Sequence, residues 1–120
     1  IVLCIGETSY AEWLGDAEDM SVTGALGLPG AQESIELAKQ SGKPVVACIV
    51  AGRNVLISDY MEDWDAIVMC YLPGTEAKAI ANVLTGETGF SGKLAMPWYD
   101  SIQQIDNGGY LFPVGYGLTY

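Results

Sequence analysis

Gly6-Glu7-Thr8-Ser9-Tyr10-Ala11-Glu12-Trp13 sets two carboxylates and two aromatic side chains directly after an apolar pentapeptide, Ile1-Val2-Leu3-Cys4-Ile5. The pentapeptide reads as a strand, and in open parallel sheets chemistry collects in the loops beyond the carboxyl ends of the strands. A carboxyl group kept from water by Tyr10 and Trp13 would hold its proton near neutral pH, the property a general acid needs. Glu12 is the candidate because aromatic residues flank it; Glu7 and Asp16 stand behind it. Asp16, Glu18 and Asp19 otherwise read as the charge of a solvated loop. Trp13 offers a flat face for the C–H side of a sugar ring. The alternative is that Trp13 packs at the base of the loop, and the residues alone leave the two open.

Proton transfer here has to rest on carboxylates, Tyr, Lys or Cys, because the chain contains no histidine. Ser-His-Asp triads, Cys-His dyads and histidine metal sites are thereby excluded. No G-x-x-x-x-G-K-[ST] loop occurs, and no G-x-G-x-x-G follows a strand, so nucleotide and phosphate sites lack support. Cys4, Cys48 and Cys70 each sit inside an apolar run and share no C-x-x-C spacing. They read as buried free thiols rather than a disulfide framework or a zinc site. No metal and no cofactor is expected.

The elements that must position this loop are legible as a class. At 120 residues, half of them hydrophobic, the chain is one domain that buries a core. Pro44–Ala51 and Ala66–Leu72 are short, nearly continuous apolar runs like Ile1–Ile5, the pattern of strands buried on both faces of a parallel sheet. Ala31–Gln40 carries Ala31, Ile35 and Ala38 on one stripe and reads as a helix, as does Thr75–Leu84 with Ala77, Ile80, Ala81 and Leu84; Gly86 fits a C-terminal cap. Val55–Glu62 is ambiguous between strand and helix. Lys93–Met96 reads as an edge strand, followed by irregular chain. Arg53 is one of five basic residues; it either pairs with a nearby carboxylate and braces the loops or points into solvent. The fold class is α/β, a three-layer sandwich with a mostly parallel sheet and helices on both faces, truncated at its N-terminal side. The chain opens inside a strand, so a longer parent polypeptide is expected.

Fifteen acidic against five basic residues give a net charge of −10, and the first 38 residues hold seven carboxylates and no Lys or Arg. Such a surface repels phosphate backbones and anionic membranes, which excludes nucleic acid and membrane as partners. No apolar run approaches the roughly 20 residues of a membrane span. The compartment stays open, with a secreted or periplasmic location favoured.

Taken in order along the chain, several short motifs resemble one family. Gly6-Glu7-Thr8-Ser9-Tyr10-Ala11-Glu12 is similar to the G-E-x-x-Y-x-E loop in the C-terminal α/β-sandwich domain of family 3 glycoside hydrolases. Leu28-Pro29-Gly30-x-Gln32, Gly42-Lys43-Pro44-Val45-Val46 and Ala51-Gly52-Arg53-Asn54-Val55 follow in the family's order, the last standing where S-G-R-P is frequent. Leu72-Pro73-Gly74-Thr75-Glu76, Val83-Leu84-Thr85-Gly86, Ser91-Gly92-Lys93-Leu94, Pro97-Trp98 and Phe112–Tyr120 complete the series.

The resemblance covers residues 1–120 as a single, partial C-terminal domain. It implies a retaining exo-acting β-glycosidase of β-glucosidase type. An upstream (β/α)₈ barrel would carry the aspartate nucleophile, and Glu12 would be the acid/base, its pKa raised in the assembled site. Tyr10 and Trp13 would contact a β-linked oligosaccharide or glucoside. The fragment alone would be inactive and would associate through an exposed sheet edge. The competing reading is a non-catalytic carbohydrate-binding or scaffolding module. A flavodoxin-like nucleotide-binding module shares only the fold class.

Overall fold

The computed structural model describes residues 1–119, with Glu12 described in its backbone only; Tyr120 lies outside the described residues. Three strands form a parallel sheet in sequence order: β1 (Val2–Gly6), β2 (Val46–Val50) and β3 (Ala66–Met69). Register is set by Val2 opposite Val46, Cys4 opposite Cys48, and Cys48 opposite Val68. The apolar runs thus form the strands expected of them, β1 shifted by one residue and β2 and β3 shorter than their runs, where the chain turns out of the ladder.

Side chains alternate across the sheet. Leu3, Ile5, Ala47 and Ile49 point to the core face, with Ile67 and Met69 packed against the same cluster. α1 (Ala31–Gln40) lays Ala31, Ile35 and Ala38 on that cluster and packs against β1. The helix stops where Ser41 Oγ donates to the Ala38 carbonyl and Pro44 follows shortly after. Burying these three stripe residues is what fixes α1, since a ten-residue helix is marginal by itself. The opposite sheet face is less covered: Val2 is 56% exposed, and Cys4 and Ala66 are exposed. The thiols are free, but only Cys48 is buried; Cys4 is exposed because it lies on this face.

Past β3 the chain forms a 3₁₀ turn at Gly74–Glu76 and α2 (Lys78–Leu84), together occupying the helical span expected over Thr75–Leu84. Val55–Glu62 contains neither a strand nor an α-helix. Leu56 bridges Ser21, and a 3₁₀ turn begins at Met61. Lys93–Met96 is not an edge strand. Leu94 exchanges backbone hydrogen bonds with Gly115 and Tyr116, and the next contact is an isolated antiparallel bridge between Trp98 and Phe112. Trp98 packs T-shaped on Phe112 and donates Nε1–H to the Val55 carbonyl at 2.8 Å, so the segment is held by side chains rather than a ladder. Gly115 takes φ 80°, a left-handed bend that lets Tyr116 stack on Phe112. α3 (Gln103–Asn107) has no counterpart in the apolar pattern of the sequence.

Candidate active site

The acidic loop leaves the carboxyl end of β1 at Gly6. This glycine lies so close to β2 that an added Cβ would fall 1.8 Å from the Val50 carbonyl oxygen. The close approach lets Glu7 N–H donate to Val50 and delivers the Glu7 side chain between the strand ends. There it is 1% exposed and held by Arg53, which follows β2. Arg53 Nη2 and Nε donate to Glu7 Oε1 at 2.8 and 3.2 Å, and Nε also reaches Oε2 at 3.3 Å. Its third arm, Nη1, donates to the Gly15 carbonyl at 2.7 Å. The guanidinium plane covers the Tyr10 ring with Cζ 4.8 Å from the centroid. Hydrogen bonding to the Glu7 carboxylate holds the Arg53 pKa above its ordinary value.

Of the two outcomes open for Arg53, pairing is the one found, and its partner is the buried Glu7 side chain. Both Glu7 carboxylate oxygens accept from the Arg53 guanidinium. Tyr10 serves the same cluster. Its hydroxyl is buried and finds no hydrogen-bond partner of normal geometry among the described residues. Burial first, then the nearby Glu7 carboxylate, pushes the phenol above its usual range.

Beyond Tyr10 the chain makes a short 3₁₀ turn, Glu12–Gly15. Glu12 therefore stands on a turn at the strand-end rim; its side chain lies outside the described residues. Trp13 is 82% exposed and Leu14 is exposed beside it, so Trp13 does not pack at the loop base. Trp13 buries little of its surface against the described residues. Asp16 closes the turn, with its N–H donating to the Trp13 carbonyl. Further on, the loop is tied down again. Val22 is fully buried, its N–H donates to the Leu56 carbonyl, Leu56 N–H donates to Met20, and the Thr23 and Tyr60 hydroxyls hydrogen-bond at 2.8 Å. These ties join two loops and have no periodic signature. The bulk of the rim is braced by Asn54, a buried amide that donates to the Pro97 carbonyl at 3.1 Å and accepts from the Tyr71 hydroxyl at 3.2 Å.

No group of three or more His, Cys, Asp or Glu side chains suited to a metal ion occurs among the described residues.

Residues 1–120 match, over their whole length, the family model described as the glycosyl hydrolase family 3 C-terminal domain. The chain is 33% identical to a lysosomal beta glucosidase of Dictyostelium discoideum, over all of the chain and 16% of that protein. It is 34% identical to a xylan 1,4-beta-xylosidase of Xylanibacter ruminicola, over 80% of the chain and 13% of that protein. Among solved structures, an exo-1,3/1,4-beta-glucanase from a Pseudoalteromonas species superposes with a TM-score of 0.82 at 34% identity, over 99% of this chain and 16% of the other. The chain therefore spans under a fifth of the length of these relatives.

Proposed function

The chain belongs to glycosyl hydrolase family 3, as its C-terminal domain, and from that membership we propose that it supplies the general acid/base of a retaining exo-acting β-glycosidase. The observation that carries the proposal is the placing of the Glu12–Gly15 turn. It stands at the carboxyl rim of a parallel sheet, clamped by Arg53, with an exposed tryptophan beside it. Glu12 protonates the departing glycosidic oxygen and then takes the proton of the water that releases the glycosyl-enzyme. The nucleophile is an aspartate on an upstream (β/α)₈ barrel of the same parent chain, its carboxyl about 5–5.5 Å from that of Glu12, the spacing retention requires. In the assembled site, loss of water around Glu12 and the neighbouring carboxylate raise its pKa. Trp13 stacks on the sugar or leaving group, and Tyr10 acts from beneath by holding Arg53. The terminal sugar is β-linked glucose or xylose, in keeping with the names of the relatives. These 120 residues alone are inactive.

The test is Glu12→Ala in the complete polypeptide. It should cripple turnover of substrates with poor leaving groups, while azide partly restores turnover of activated ones. Unchanged turnover transfers the role to Asp16, since Glu7 is taken by Arg53. If neither Glu12→Ala nor Asp16→Ala alters any rate and the domain binds β-linked sugar, it is instead a carbohydrate-binding or scaffolding module, the reading favoured by Trp13 and Leu14 standing exposed side by side.

A further inference from the structure

We infer that Arg53 is a positioning residue for the proton-transfer turn, acting through the backbone of Glu12–Gly15; the inference rests on the reading of Glu12 above. The turn is four residues of 3₁₀ helix with no side-chain hydrogen bond at its N-cap, Ala11. Short 3₁₀ segments have poor internal hydrogen-bond geometry and need outside support. The Trp13 and Leu14 side chains do not provide it, because both are exposed to solvent. Among the described residues, Arg53 Nη1 is the one side-chain group hydrogen-bonded to this turn, at the Gly15 carbonyl.

The other end of the clamp is fixed. Nε and Nη2 grip Glu7, which β1 and the Val50 carbonyl hold in place. Tyr10 fills the space beneath: its ring lies under the guanidinium and against Gly15, where an added Cβ would be 3.0 Å from Tyr10 Cδ2. One planar cation therefore transmits the position of the strand end to the turn that carries Glu12. A rigid fork does this and a single ammonium does not, since Lys presents its three donors from one atom. Lysine keeps the charge opposite Glu7 and loses the simultaneous reach to Gly15.

The experiment compares Arg53→Lys, Glu12→Ala and wild type in the complete polypeptide, reading kcat/KM for a dinitrophenyl β-glucoside and for cellobiose, with the corresponding xylosides in parallel. The dinitrophenolate leaves with little proton donation, whereas cellobiose requires it. Arg53→Lys is expected to lower kcat/KM for cellobiose about 100-fold, the scale of an ångström-sized misplacement, and to change the activated substrate by less than about threefold. The alkaline limb of the cellobiose pH profile moves to lower pH, because a displaced carboxyl regains water. Equal losses on both substrates, or an unmoved pH limb, overturn the inference and leave Arg53 a brace of the fold. Should Arg53→Lys not fold, Glu7→Gln loosens the same clamp and is expected to give a smaller loss with the same selectivity; equal losses there overturn the inference likewise. If Glu12→Ala itself fails to separate the two substrates, the assignment of Glu12 falls and takes the clamp's catalytic role with it. If Glu12→Ala separates them and Arg53→Lys does not, only the positioning role is lost.

Discussion

Removing Arg53 should cost far more stability than removing Glu7, although the two make the same ion pair. The Glu7 side chain is 1% exposed and that of Arg53 is 19% exposed. Arg53→Met leaves a carboxylate with no route to water and no counter-charge, a loss of about 3–5 kcal/mol. Glu7→Leu leaves a guanidinium that still donates to Gly15, still covers Tyr10 and still touches solvent. The loss should be nearer to about 1–2 kcal/mol, the size of a charged hydrogen bond. The double variant puts two apolar side chains together and should be more stable than Arg53→Met alone by roughly 2 kcal/mol or more. Urea unfolding followed by tryptophan emission measures all four corners of the cycle, with Trp64 and Trp98 as buried reporters. Repeating it in concentrated salt, about 1 M, adds a second check, since the Debye length falls to about 3 Å and an exposed pair would vanish while a buried one persists. If Arg53→Met costs less than about 1 kcal/mol, the range of surface pairs, or the coupling disappears in salt, Glu7 is hydrated and the clamp is not rigid.

Gly6→Ala forces a methyl group into the Val50 carbonyl; it should cost about 3 kcal/mol or more by spreading β1 from β2, measured in the same unfolding assay. Tyr10→Phe should lie within about 1 kcal/mol of wild type near neutral pH, because the hydroxyl it deletes has no good partner. The folded-state pKa of this phenol is raised, so its contribution is complete below the unfolded value near 10 and is lost as pH rises beyond it. Stability of Tyr10→Phe should therefore fall less between about pH 9 and 11 than that of wild type, and parallel curves would refute the placement. We propose that the chain self-associates through the outer edge of β1, which pairs with no further strand among the described residues and where Val2 is exposed. Light scattering should show dimers or larger species that Val2→Lys reduces, and a wild-type monomer at high concentration would count against it.

The sheet is readable from the residues because its strands are continuous apolar runs, although only β2 is buried on both faces, and α1 because its three buried residues fall on one stripe. Lys93–Met96 misleads for a related reason: of its apolar residues only Leu94 packs on the core, tied by its backbone to Gly115 and Tyr116 without forming a ladder, while Ala95 and Met96 are exposed. α3 has no buried residue and so no stripe to read. At the site, the scarcity of cations marks Arg53 as a candidate brace, while the residues alone leave open whether it pairs or points into solvent. Its partner at Gly15 is a carbonyl, a group every residue has, and leaves no mark in the sequence. The exposure of Trp13 is equally hidden, because a tryptophan beside a strand end reads the same whether it lies under the loop or above it.

The double anchorage of the acidic segment also bears on how such enzymes diversify. One tether closes at Gly15 and the next begins at Met20, tied to Leu56. Residues inserted or lost between these points would change the outline of the rim without displacing the Glu12–Gly15 turn.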